Sequence, residues 1–131
     1  MGILMIIGLT LTGLAALLHV FIFWLESFAW STPRARAVFG TTEAEAAATK
    51  QLALNQGFYN LFLALMVASG VVLTLSGQSA AGIALVLAGA GSMAAASLVL
   101  LCSDRSKTAA ALKQGTAPAV GVVAVLLSFF I

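Results

Sequence analysis

Polar residues recur in the first apolar segment with a spacing that places them on one side of a helix. Thr12, His19 and Glu26 are seven residues apart, and Trp30 falls on the same side. Successive members at this spacing are rotated by only about 20° in an α-helix. His19 and Glu26 are therefore candidate catalytic residues, as a proton-transfer pair, a metal-binding pair or a site for a cationic or hydrogen-bonding ligand. The alternative is a buried polar network that only fixes helix packing.

A second polar group lies in the next apolar segment, in the run NQGFYN. Asn55 and Tyr59 are one helical turn apart, and Gln56 and Asn60 occupy the adjoining flank. These four side chains supply neutral donors and acceptors, which suit recognition of carbonyl, hydroxyl or phosphate groups. We interpret them as candidate ligand-binding residues together with Trp30, and the alternative is hydrogen bonding between helices.

The two polar groups have similar depths when helical rise is counted from the nearest polar boundary. Counting from Trp30, Glu26 lies about 6 Å inside the apolar region and His19 about 17 Å inside. Counting from Lys50, the run NQGFYN lies between about 8 and 14 Å inside. We expect Glu26 at the level of Asn55, and His19 near the last two polar residues of the run.

The composition assigns the chain to the membrane. Of its 131 residues 62% are hydrophobic and only 8% are charged, whereas about a quarter of a soluble domain is usually charged. A nucleic-acid partner is excluded for lack of a basic surface. Cys102 is the only cysteine and His19 the only histidine. One chain alone therefore cannot form a His/Cys zinc site, so no metal site is predicted and no cofactor is indicated.

Four apolar segments, at about residues 3–30, 52–75, 80–102 and 116–131, predict the fold. A helix needs about 20 residues to cross the hydrocarbon core, where every backbone polar group must be paired. We predict an all-α integral membrane four-helix bundle, formed by residues 1–131 as one domain. The fourth segment is about 24 Å long, so its helix must begin earlier or cross a thinned bilayer. The first segment lacks the basic start and cleavage site of a secretory signal, so we expect a retained span.

All basic residues lie in or beside two connections, between the first and second spans and between the third and fourth. Basic loops face the cytoplasm. Both termini are therefore predicted outside the cytoplasm, with the protein in the cell (inner) membrane. The six basic residues are Arg34, Arg36, Lys50, Arg105, Lys107 and Lys113.

Several helix ends can be predicted from local sequence. Pro33, after Ser31 and Thr32, suits the first turn of a short helix, and Gly40 would form the following bend. Thr42 and Glu45 have capping-box spacing, so the second long helix is predicted to begin there.

The start of the last helix is predicted at Gln114, Gly115 and Pro118, because proline is tolerated in a first helical turn. That helix end is a candidate cover for the pocket, with Gln114 as a further ligand-binding residue. The alternative is a simple helix start.

The third span is rich in small residues. Ala84, Ala88, Ser92 and Ala96 recur at every fourth position, and Gly82, Gly89 and Gly91 add further small surface. Such a stripe permits close helix contact. We favour packing within the bundle over a dimerisation face.

The segments HVFIFWLESFAW, TPRARAVFG, KQLALNQGFYNLFLA and KQGTAPA together resemble a family of small four-span membrane proteins catalogued as domain of unknown function 1304. The resemblance covers nearly the whole chain and implies a four-span fold without an established activity. It brings forward the positions His19, Glu26, Trp30, Pro33, Phe39, Asn55, Gln56, Gly57, Tyr59, Asn60, Gln114, Gly115 and Pro118.

Three functions are compatible with these features. The first is a cytoplasm-facing intramembrane pocket that binds, and in a catalytic version transforms, a small lipophilic or amphipathic molecule. The second is a small proton-linked transporter, and the third is an accessory subunit of a membrane complex. The predicted partners are membrane lipids, such a small molecule and, in an oligomer, further copies of the chain.

Overall fold

The computed structural model describes all residues from Met1 to Ile131. Helix α1 spans Ile3–Ser27, the short helix α2 Pro33–Phe39, α3 Glu43–Leu75, α4 Ser79–Ser103 and α5 Thr108–Leu127, with a 3₁₀ turn at Arg105–Lys107 before α5. The four long helices form a bundle in which α1 packs against α3 and α5, and α4 packs against the same two helices. The predicted all-α four-helix bundle is confirmed.

The outer surface of the bundle is apolar. All four long helices are long and apolar enough to cross a membrane, and large apolar side chains such as Leu17, Phe62, Leu98 and Val123 are exposed on them. Soluble monomers rarely expose apolar surface this continuous. The chain is therefore an integral membrane protein whose helices contact lipid.

The predicted start and end of α2 and the predicted start of α3 are confirmed, whereas α1 ends at Ser27, a few residues before the end of its apolar segment. The Thr32 hydroxyl accepts a hydrogen bond from the Ala35 N–H at 3.3 Å and caps α2. Gly40 ends α2 with φ 64°, a left-handed conformation in which a Cβ is unfavourable. Thr42 and Glu45 form the predicted capping box, with distances of 3.2 and 2.8 Å.

The two basic connections lie at the same end of the bundle and touch. The Lys107 ammonium donates a hydrogen bond to the Gly40 carbonyl at 2.7 Å. Beside it, the Ser106 hydroxyl and N–H donate to Asp104, and the hydroxyl is the main cause of a lowered pKa of that carboxyl. We call this part of the molecule the basic end.

The last helix begins earlier than its apolar segment. α5 starts at Thr108, so Gln114, Gly115 and Pro118 lie in its second and third turns and not at its start. Because Lys113 is charged, the sequence predicts it in the loop, but a helix can carry a charged side chain close to a membrane surface. Lys113 therefore lies within α5. The prediction of a helix start at Gln114 was wrong.

The small residues of α4 lie on two different faces. Ala84, Ala88, Ser92 and Ala96 are exposed on the outside of the bundle, so the prediction that this stripe packs within the bundle was wrong. The inner face lies two residues out of phase, about 200° around the helix. Its buried residues are Gly82, Val86, Gly89, Ala90, Met93 and Ser97.

Candidate functional site

Glu26 connects α1 to α3 near the basic end. Its side chain is only 3% exposed. Oε2 accepts a hydrogen bond from the Asn60 amide at 2.6 Å, and Oε1 accepts a longer one from Gln56 at 3.4 Å. Gln56 and Asn60 are one turn apart on α3, so their amides hold the carboxylate between them.

This pairing uses the flank of the NQGFYN run and not the pair Asn55 and Tyr59. Tyr59 is 70% exposed, Asn55 is also exposed, and neither makes a side-chain hydrogen bond. Glu26 lies at the level expected, because the neighbouring Ser27 hydroxyl donates to the Leu54 carbonyl, but its hydrogen-bond partners are Gln56 and Asn60 and not Asn55. Side chains lean toward the N-terminus of their helix, so in the antiparallel pair Glu26 and Asn60 lean toward each other.

The backbones of α1 and α3 approach closely beside this group. A Cβ on Gly57 would lie 3.0 Å from both the Phe23 carbonyl oxygen and the Ser27 nitrogen, and it would overlap the Ser27 hydroxyl. That hydroxyl donates to the Leu54 carbonyl at 3.0 Å. Gly57 therefore serves contact between the helices, which fixes the distance from Glu26 to its amide partners.

His19 lies deeper and is separate from Glu26. It is 2% exposed, and its Nδ1 is 2.8 Å from the Ala15 carbonyl oxygen. Because a carbonyl only accepts, Nδ1 carries a proton in this bond and Nε2 is the nitrogen left for other partners. The two helical turns to Glu26 span about 10 Å along the axis, too far for a direct proton transfer or a shared metal ion.

An open cavity of about 330 Å³ lies between Glu26 and the basic connections. Trp30 forms one wall, where its indole N–H donates to the Thr49 hydroxyl at 3.1 Å and its ring packs 5.2 Å from that of Phe39. The cavity is lined by Glu26, Trp30, Thr41, Glu45, Thr49, Leu52, Ala53, Gln56 and Lys107. It combines carboxylates, amide and hydroxyl groups with an aromatic wall.

Gln114 does not reach this cavity. It lies with Lys113 at a second, mainly apolar cavity of about 330 Å³, against Leu18, Phe21 and Ile22 of α1. Of the predicted ligand-binding residues, the structure therefore brings Gln56, Asn60 and Trp30 to Glu26, and it leaves Asn55, Tyr59 and Gln114 elsewhere.

Several lining residues were missed by the sequence reasoning. Thr49 is seven residues before Gln56, so extending the flank of the polar run toward the start of α3 would have found it. No spacing rule could have found Thr41 or Lys107, because the loops bring them to the cavity. No three His, Cys, Asp or Glu side chains cluster as a metal site would require.

A comparison with protein families assigns most of the chain to one family. The model of the family described as protein of unknown function (DUF1304) matches residues 13–126. The chain belongs to the DUF1304 family. The matched region contains Glu26, its two amide partners and every residue that lines the cavity. No curated protein and no solved structure shows significant similarity to the chain.

Proposed function

We propose that this DUF1304 protein binds a small lipophilic or amphipathic molecule in the cavity beside Glu26. The observation that carries the proposal is a buried carboxylate, held by two amides, that lines an open cavity with an aromatic wall. A site with a few convergent polar groups and an apolar lining is typical of small-molecule binding.

The proposal places the cavity on the cytoplasmic side of the cell membrane, because all basic residues cluster at the basic end. Both termini then lie outside the cytoplasm. A ligand could enter from the cytoplasmic interface or from the surrounding lipid past Leu52, which is 68% exposed.

Within this proposal Glu26 is the acid/base group for any chemical step on the bound molecule, because it lines the cavity. His19 lies about two turns deeper and is linked to the site only through a ligand or water between them. Gln56 and Asn60 orient the carboxylate, and Trp30 contacts the apolar part of the ligand.

Helix packing favours binding over transport. Far from the basic end, a Cβ on Gly8 would lie 2.8 Å from the Val125 nitrogen, and one on Gly70 would lie 2.6 Å from the Gly82 carbonyl oxygen. Transport across the membrane would require these close contacts to separate. An accessory role predicts co-purification with a larger complex, and a stable, monodisperse protein purified alone would argue against it.

Tryptophan quenching tests the proposal. Trp30 lines the cavity, whereas Trp24 is 46% exposed on the outside. The Trp24→Phe protein in lipid nanodiscs reports on Trp30 alone, and the Trp30→Phe protein reports on Trp24 alone. The probe is para-bromobenzyl alcohol, whose bromine quenches indole fluorescence on contact.

We expect saturable quenching of Trp30 and only linear, partition-driven quenching of Trp24. Ala53→Leu, at a buried position that lines the cavity, should weaken the saturable component. Ala48→Leu, at an exposed position of the same helix that does not line it, should leave it intact. Linear quenching of both tryptophans would contradict the proposal, and this comparison does not depend on the Ala53 variant being stable.

A further inference from the structure

Glu26 has no positively charged partner within the chain. The carboxylate is 97% buried, given its 3% exposure, and its hydrogen bonds come from neutral amides. No Lys or Arg side chain donates to it. Ionisable residues at membrane depth are usually paired with an opposite charge, so a proton or a bound cation must supply the missing positive charge.

The only basic side chain that lines the cavity is directed elsewhere. The Lys107 ammonium donates to the Gly40 carbonyl at 2.7 Å, which directs it at the loop. Glu45 also lines the cavity, with its Oε2 accepting from the Thr42 N–H, so the lining residues carry two carboxylates and one ammonium group. The lining has a net negative charge, which disfavours an anionic ligand.

The remaining polar groups are mostly acceptors. Gln56 lines the cavity and directs its N–H group at Glu26, so its carbonyl oxygen remains as an acceptor. The Thr41 hydroxyl is buried and has no hydrogen-bond partner, and a hydroxyl can accept a hydrogen bond as well as donate one. The Trp30 N–H is already used by Thr49, while the indole ring lines the cavity, and an aromatic face attracts cations.

We infer that the ligand is a lipophilic amine or ammonium compound, whose cationic head approaches Glu26 and whose apolar part lies against Trp30 and Leu52. The inference rests on the proposed function and specifies its ligand class. A cationic head would supply both the charge that Glu26 lacks and the donors that the lining accepts. An alcohol would supply one donor and no charge.

The test compares four probes that differ only in their polar head, using quenching of Trp30 in the Trp24→Phe protein. They are para-bromobenzylamine, para-bromobenzyltrimethylammonium, para-bromobenzyl alcohol and para-bromobenzoate. Because charge-assisted hydrogen bonds are about twice as strong as neutral ones, we expect the amine to bind about tenfold more tightly than the alcohol. The trimethylammonium probe should also bind more tightly than the alcohol, and the benzoate should bind weakest.

Glu26→Gln should reduce the affinity for both cations to that for the alcohol. Glu43→Gln is the matched control, because Glu43 is exposed at the start of α3 and does not line the cavity. That variant should keep the cation preference. If the Glu26→Gln protein does not fold, the order of affinities of the four probes for the protein with Glu26 intact still tests whether the cavity prefers cations.

The outcomes separate this inference from the proposed function. Saturable binding in which the alcohol or the benzoate equals the amine would overturn the inference and leave the binding cavity standing. A cation preference that survives Glu26→Gln would also overturn it. Failure of all four probes to quench Trp30 saturably would overturn both proposals.

Discussion

Glu26 near the end of α1 and Asn60 in the middle part of α3 meet at 2.6 Å, the shortest side-chain link between the two helices. The contact exists because the antiparallel helices lean their side chains toward each other. Neighbouring residues on α3 are about 100° apart around the helix, so Gln56 and Asn60 reach Glu26 whereas Asn55 and Tyr59 make no side-chain hydrogen bond.

Asn60→Leu should destabilise the bundle by about 1–3 kcal/mol, because it leaves a buried carboxylate with a single long hydrogen bond. Asn55→Leu is the matched control, since Asn55 is exposed and unbonded, and it should change the free energy of unfolding by less than about 0.5 kcal/mol. Unfolding followed by circular dichroism in one detergent measures both. An equal decrease in the free energy of unfolding for Asn60→Leu and Asn55→Leu would contradict a specific role of the Asn60 hydrogen bond.

Gly57→Ala should also destabilise the protein, by about 1–3 kcal/mol, because its Cβ would be forced against the Ser27 and Phe23 backbones. Gly91→Ala tests whether glycine matters as such, since a Cβ there meets nothing within 4 Å. Alanine is the better helix former, so that variant should be neutral or slightly stabilising. A stable Gly57→Ala protein would contradict the close approach of α1 and α3.

The bundle itself could be predicted from the sequence, because a helix in lipid must pair its own backbone and its length is set by the bilayer. The capping box at Thr42 and the bend at Gly40 could also be predicted, because each depends only on residues that are close in sequence. Which flank of NQGFYN meets Glu26 could not be predicted, because both flanks carry polar side chains and only the position of α1 decides between them. The walls at Thr41 and Lys107 depend on two loops meeting, which no spacing within one segment encodes.

The outward face of α4 illustrates the same limit. Ala84 and Ala88 share a periodicity with the buried pair Gly82 and Val86, and small side chains fit either face. The positions of α3 and α5, against which α4 packs, decide which of them is buried.

Orientation can be tested with the native cysteine. Cys102 is exposed at the basic end, so a membrane-impermeant maleimide added to intact spheroplasts should not label it until the membrane is permeabilised. In a Cys102→Ser protein, a cysteine introduced by Gln78→Cys, at an exposed position between α3 and α4, should label without permeabilisation. The reverse pattern would place the basic end outside the cytoplasm.

The Trp30 wall can be tested through its hydrogen bond. Thr49→Val keeps the shape of the side chain but removes the acceptor of the indole N–H, which is 3.1 Å away. We expect a loss of about 0.5–1.5 kcal/mol and weaker probe binding in the Trp24→Phe protein, because the ring is no longer held. Unchanged binding would show that the position of Trp30 does not matter to the cavity.

The most direct test of the binding cavity is a structure of the protein in lipid with para-bromobenzylamine, in which anomalous scattering locates the bromine. We predict a single strong bromine position between Trp30 and Leu52, with the amine near Glu26. Bromine found only on the lipid-facing surface, with the cavity closed and Glu26 bonded to Gln56 and Asn60 alone, would show that this polar group holds the helices together and binds no ligand.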